Sequence, residues 1–181
     1  MEHKGRPRAL PHLRPGLEKI NMAEQHSGQP TSAVAVVTGS PAYQGIRGTV
    51  RFDQTRGGVV VKAEFSGLPQ TPSGFLAFHL HSGDCKLSPD SAGGDWFPSA
   101  GSHYNPTSQL HPRHAGDFPV ILETRYGAAQ LMFLTDRFTV AQAIGGAVVV
   151  HLQSDDYRTQ PAGNAGPKIA CGQVMPERGL Y

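Results

Sequence analysis

The chain has 181 residues, enough for one domain with a hydrophobic core and some spare length. Glycine (22) and proline (15) are both abundant, which predicts many turns and little helix. The formal net charge of +2 comes from residues 1–25, with five basic and three acidic side chains; the remainder carries 11 of each sign, which argues against a nucleic-acid or other polyanionic partner.

No apolar run reaches the roughly 18 residues that a membrane-spanning helix needs. The N-terminal segment has Lys and Arg but lacks the apolar middle region of a signal peptide. Pro7, Pro11, Pro15 and scattered charges predict a disordered extension over residues 1–30, with Met1 or Met22 as the start, followed by one domain over 31–181. The expected compartment is the cytoplasm.

From Ser32 onward, short β-branched runs alternate with turn residues. Ser32–Val37 forms a first strand, ended by Gly39-Ser40-Pro41. Gly48–Asp53 alternates apolar and polar residues, the period of a half-buried strand. Arg56-Gly57-Gly58 turns the chain into Val59–Phe65, which Gly67-Leu68-Pro69 stops. Gly74–His81 reads as a fourth strand; Ala128–Leu134, Gly146–Leu152 and Ile169–Val174 supply more. This pattern predicts an all-β fold, an antiparallel Greek-key sandwich or barrel of about eight short strands. Two long loops, 82–120 and 153–168, are expected to be functional.

Six of the nine histidines fall in an ordered constellation: His79-Leu80-His81, His103, His111-Pro112-Arg113-His114 and His151, with Asp117 completing the third group. Histidine is the commonest transition-metal ligand at neutral pH, and the number of donors suffices for two ions. On a strand, His79 and His81 face the same side with Cα atoms about 7 Å apart, within reach of one metal. His151 ends the valine-rich strand Val148–Val150 and can approach the same point. His111-x-x-His114-x-x-Asp117 with His103 gives three nitrogens and one oxygen, a set that suits tetrahedral zinc. An imidazolate binds a metal through each nitrogen, so His103 is the natural bridge between the two sets. Asp155 and Asp156 follow His151 closely; one of them, Asp155 by preference, is a candidate to accept a ligand histidine's second N–H.

Cys85 and Cys171 lack the Cys-x-x-Cys spacing of a zinc knuckle or redox site. They are free thiols, soft zinc ligands or one disulfide closing a loop of about 87 residues, worth roughly 4 to 5 kcal/mol by chain entropy. Trp96-Phe97 is either an exposed interface pair or packs beneath its own loop.

These motifs resemble the copper–zinc superoxide dismutase family, over about Ala33 to Val174. The resemblance is carried by Ala77-Phe78-His79-Leu80-His81-Ser82-Gly83-Asp84, Gly101-Ser102-His103-Tyr104-Asn105-Pro106, His114-Ala115-Gly116-Asp117, Val148-Val149-Val150-His151, and Gly163-Asn164-Ala165-Gly166 through Ala170-Cys171-Gly172. It implies copper at His79, His81, His103 and His151, zinc at His103, His111, His114 and Asp117, and a Cys85–Cys171 disulfide. It also implies conversion of superoxide to dioxygen and hydrogen peroxide, with His103 carrying a proton to the product.

The chain departs from the family at three places. Lys168 stands where the family has arginine near copper; it keeps the positive charge but loses the planar fork, so activity is expected to be lower than with arginine. Cys85 and His103 are 18 residues apart, further than in many members, so a homodimer is possible but its geometry is not transferable. The loop from Gln153 to Lys168, though long for a compact domain, is shorter than is common in the family and carries few charges, which predicts weak steering of an anion. Two other readings remain, a non-catalytic metal-handling sandwich and an interaction domain that keeps only zinc; the intact copper set disfavours both.

Overall fold

The computed structural model of the protein describes residues 28–88 and 94–177. The expected N-terminal extension therefore lies, up to residue 27, outside the described residues.

The strands form where β-branched and aromatic residues alternate with smaller or polar ones. β1 (Ser32–Gly39), β2 (Arg47–Thr55) and β3 (Gly58–Ser66) are a continuous antiparallel meander, each a little longer than the apolar alternation alone marks. The expected strand over Gly74–His81 is instead two, β4 (Phe75–Leu76) and β5 (Phe78–His81). At Ala77 the backbone leaves the ladder: its N–H donates to Gln153 and its carbonyl accepts from His151. β6 (Ile121–Leu122) pairs with β4 in a separate two-stranded sheet that two residues of apolar sequence could not announce. β7 (Ala129–Thr135), β8 (Ala147–His151) and β9 (Lys168–Pro176) complete the main sheet. A single helical turn, α1 (Val140–Ala143), is set by a capping box between Thr139 and Gln142.

The seven-stranded sheet has the order β5-β8-β9-β1-β2-β3-β7. The chain thus crosses between its two edges on the way from β3 to β5, from β5 to β7 and from β7 to β8, the long returns of a Greek-key arrangement. β5 and β3 are five ladder steps apart, about 24 Å if the sheet were flat. Yet the rings of Phe65 on β3 and Phe78 on β5 lie 5.5 Å apart, so the sheet curls until its inner face meets itself. Ala33, Ala35, Val37, Val50, Phe52, Val61, Phe78, Leu80, Val148 and Val150 fill that interior.

The outer face of the curl positions the site. His79 is register partner to Val149, which pairs with Cys171; His81 pairs with Ala147. Directly opposed residues share a face, so both histidines point away from the core. The loop after β5 folds back over that face. Phe97 is buried there and Trp96 half-buried, packed with Ala100, Ala147, Val149 and the Cys85–Cys171 disulfide into a second small core. Trp96-Phe97 is therefore packed under its own loop, and an exposed interface pair is ruled out.

Candidate metal centre

β5 is an edge strand, and an uncovered edge is an invitation to pairing with other chains. Two stretches of the long loop cover it. Leu80 N–H donates to the Gly116 carbonyl (2.9 Å), Tyr104 N–H donates to the Leu80 carbonyl (2.8 Å), and Gly116 N–H donates to the Tyr104 carbonyl (2.8 Å). This close approach needs glycine at 116, because a Cβ would sit 2.1 Å from the Leu80 oxygen. The same bonds place His103 opposite His81 and Asp117 opposite His79. The sheet supplies His79, His81 and His151, and the loop is hung on β5 so that its own donors face them.

All six histidines are buried, none more than 7 % exposed. Four rings have their protonated nitrogen fixed by an acceptor that carries no hydrogen. His79 Nε2 donates to Asp155 Oδ2 (2.8 Å), His111 Nε2 to Asp155 Oδ1 (2.9 Å), His81 Nδ1 to the Gly101 carbonyl (2.9 Å) and His151 Nδ1 to the Gly166 carbonyl (3.0 Å). The other nitrogen of each is then a lone pair, and these lone pairs converge. His81 Nε2 and His151 Nε2 are 3.2 Å apart, and His79 Nδ1 and His103 Nε2 are buried without any hydrogen-bond partner among the described residues. On the other side of His103, its Nδ1 lies 2.7 Å from Asp117 Oδ1, which is 3.2 Å from His114 Nδ1; His111 Nδ1 is 3.2 Å from Asp117 Oδ2.

Buried lone pairs facing one another and orphaned ring nitrogens are costly in a protein interior. A cation between them removes that cost. Metal–nitrogen bonds of about 2 Å make the edge of a coordination tetrahedron roughly 3.3 Å, close to the donor separations found here. Two four-donor groups result, His79/His81/His103/His151 and His103/His111/His114/Asp117, each with its donor atoms within 4.8 Å of one another. His103 belongs to both, one ring nitrogen turned to each. The donor chemistry fits: four imidazoles suit copper, and three imidazoles with a carboxylate suit zinc.

The electrostatics favour neutral, ligating rings. Burial, reinforced by the neighbouring histidines, holds His79 and His81 well below the ordinary histidine range. Burial also brings His151 down to about 4, against the opposing effect of its bond to Gly166. For Asp117, burial works against ionisation, but the hydrogen bond from His103 and the charges of His103, His111 and His114 outweigh it and keep the carboxyl below its usual value.

A model of the copper/zinc superoxide dismutase (SODC) family matches residues 46–174. The chain belongs to this family. It is 37% identical over 142 residues to superoxide dismutase [Cu-Zn] 2 of Aquifex aeolicus, a match covering 70% of this chain and 78% of the relative. With superoxide dismutase [Cu-Zn] of Deinococcus radiodurans it shares 34% over 141 residues, 70% of this chain and 76% of the other. Among solved structures, the crystal structure of the clock protein EA4 superposes with a TM-score of 0.65 at 31% identity, covering 82% of this chain and 96% of that one.

Asp155 bridges the two halves of the centre, bonded to one histidine of each donor set; its Oδ1 also accepts from Tyr157 N–H at 2.7 Å. Asp156 instead caps its own turn, accepting from the backbone of Arg158 and Thr159. Cys85 and Cys171 are disulfide-bonded. Lys168 lies beside His151 in the β8–β9 ladder, and its ammonium is paired with Asp95 at 2.8 Å.

Four residues escaped the sequence reading. Gln160 clasps His111, accepting from its N–H (3.1 Å) and donating to its carbonyl (2.7 Å). Arg137 donates to the carbonyls of Pro112 and His114, holding the zinc-side loop from below. Gly163 has φ +68, and a Cβ there would lie 1.9 Å from Asp155 Oδ1 and 2.7 Å from His111 Nε2. Asp95 is the partner of Lys168. Only Gly163 carried a signal, as part of the Gly-Asn-Ala-Gly motif.

Proposed function

We propose that the protein is a superoxide dismutase, converting two superoxide anions and two protons to one dioxygen and one hydrogen peroxide. The observation that carries the reading is His103, a single imidazole with one nitrogen in each of two complete donor sets. His79, His81, His103 and His151 would hold copper, which would supply a one-electron couple when bound.

The chain's own residues do the rest. The Gly101 and Gly166 carbonyls and Asp155 lock the ring orientations of His81, His151 and His79, so these three donors need not reorganise. His103, His111, His114 and Asp117 would hold zinc, which would leave no donor of that set unused and would fix the loop. His103 Nε2 is the atom at which a proton is held for the product, because its ring is fixed from the Nδ1 side and stays in position when Nε2 is free.

Pulse radiolysis of protein loaded with one copper and one zinc, with His151→Ala as control, tests this. A superoxide decay rate far above buffer that vanishes in the variant is expected. Full metal loading with no rate above the control would overturn the reading in favour of metal handling without turnover.

A further inference from the structure

Lys168 opens β9 as the ladder partner of His151, one of the four copper-side donors. Its side chain is only 13 % exposed, and its Nζ is held 2.8 Å from Asp95 Oδ2. Asp95 comes from the segment between Cys85 and His103. That segment is fastened to β9 by the Cys85–Cys171 disulfide, by the Trp96 N–H on the Lys168 carbonyl (3.4 Å) and by the packing of Phe97 and Trp96 against Val149 and Cys171. The Asp95 carboxylate is itself pinned, since its Oδ1 accepts from Phe97 N–H at 3.2 Å, leaving Oδ2 turned to the ammonium.

Two flexible surface side chains that meet by chance contribute little. Here both partners are anchored by backbone contacts and stand next to a donor of the metal centre. An ammonium alone would draw a small anion toward the copper side. Paired, it presents a dipole of shorter range, and the carboxylate competes with the anion for the ammonium's N–H donors.

We propose that Asp95 is a specificity-determining residue for the anionic substrate: its carboxylate holds Lys168 and cancels its charge beside His151, weakening the copper side's attraction for small monoanions. The inference deepens the dismutase reading and rests on copper being bound by the four histidines.

Azide titration of the copper- and zinc-loaded full chain, followed by the Cu(II) optical and EPR spectra, tests it in the wild type, Asp95→Asn, Lys168→Gln and the double variant. Asparagine keeps the Oδ1 acceptor for Phe97 N–H while removing the charge. Asp95→Asn is expected to tighten azide about three- to tenfold and to make binding more sensitive to ionic strength. Lys168→Gln is expected to weaken azide, and in that background the effect of Asp95→Asn should shrink to about half or less. An unchanged azide affinity in Asp95→Asn with the Cu(II) spectrum intact would overturn the proposal alone. An equal gain with and without Lys168 would also overturn it, because Asp95 would then act without the lysine. Absence of a Cu(II) signal from the wild type before any azide is added would overturn the copper reading and this inference together.

Discussion

Removal of the Asp155 carboxylate should strike the zinc side of the centre harder than the copper side. Its two oxygens accept from His79 Nε2 (2.8 Å) and His111 Nε2 (2.9 Å), and its side chain is wholly buried. In Asp155→Ala both N–H groups lose their acceptor, and a buried unsatisfied donor costs about 1 to 3 kcal/mol. Each ring can relieve that cost by moving its proton to the other nitrogen, which is the metal-facing one. Relief in the metal-free protein is therefore loss of a ligand. His79 resists the change, because β5 is paired along its length with β8 and the ring is packed among the copper-side histidines. His111 sits on the loop, held mainly by Gln160. Partners of this kind contribute about 10- to 100-fold to metal affinity, or about 1.4 to 2.7 kcal/mol. Zinc affinity, measured by competition with a chromogenic chelator, should fall by that full amount, and copper affinity by less than about tenfold. Zinc binding unchanged within about twofold, or copper weakened more than zinc, would refute the reasoning.

Gly163→Ala should mimic that loss of zinc, since its Cβ would occupy the space of Asp155 Oδ1 and press on His111 Nε2; the same competition assay should show at least a roughly tenfold drop, and undiminished affinity would show that the loop yields freely. Replacing both cysteines by alanine opens a loop with a sequence separation of 86 and should cost about 4 to 5 kcal/mol in guanidinium unfolding, with a loss below about 1 kcal/mol counting against the bridge as a restraint on the unfolded chain. The metal-free protein should weaken in acid. Burial holds His151 at about 4 against an ordinary value of 6.5, so on acidification the unfolded chain takes up its proton first. This contribution is full above about pH 6.5 and falls by about 3 kcal/mol by pH 4, with His79 and His81 acting in the same sense. The urea midpoint of the metal-free protein at pH 7.5, 5 and 4 reports it, and a flat midpoint would contradict the burial argument.

What the sequence disclosed followed from periodicity and donor chemistry. Alternation of apolar and polar residues over Gly48–Asp53 marked the buried face of β2, and the same period put His79 and His81 on one face of β5. Histidine spacing then sorted the donors into two groups. Hidden from the sequence were contacts made by backbone. β4 and β6 are held by a two-residue pairing with no periodicity to read, and the break at Ala77 depends on carbonyls and N–H groups that every residue type possesses. The same holds for the Gly101 and Gly166 carbonyls that set two tautomers, since a carbonyl has no letter in the sequence. Asp95 was invisible for another reason: a lone acid in a loop has no spacing relation to its lysine 73 residues away.

The two donor sets differ in what holds them together, and that difference assigns their work. Three copper-side donors lie on strands β5 and β8, which pair directly, so the sheet itself fixes most of that group before any ion arrives. The three donors peculiar to the zinc side, His111, His114 and Asp117, all come from one short stretch of loop. Its internal order rests on a few bonds, among them His114 N–H on Asp117 Oδ2 at 2.9 Å and the Arg137 guanidinium on two carbonyls. Binding free energy at such a site goes largely into ordering the chain, whereas at a preformed site it is available to tune the ion. His103 and Asp155 join the two, each touching both sides. Order imposed on the loop by zinc is thereby passed to the orientation of His103 and His79, and by linkage an occupied copper side must favour the zinc side to the same degree.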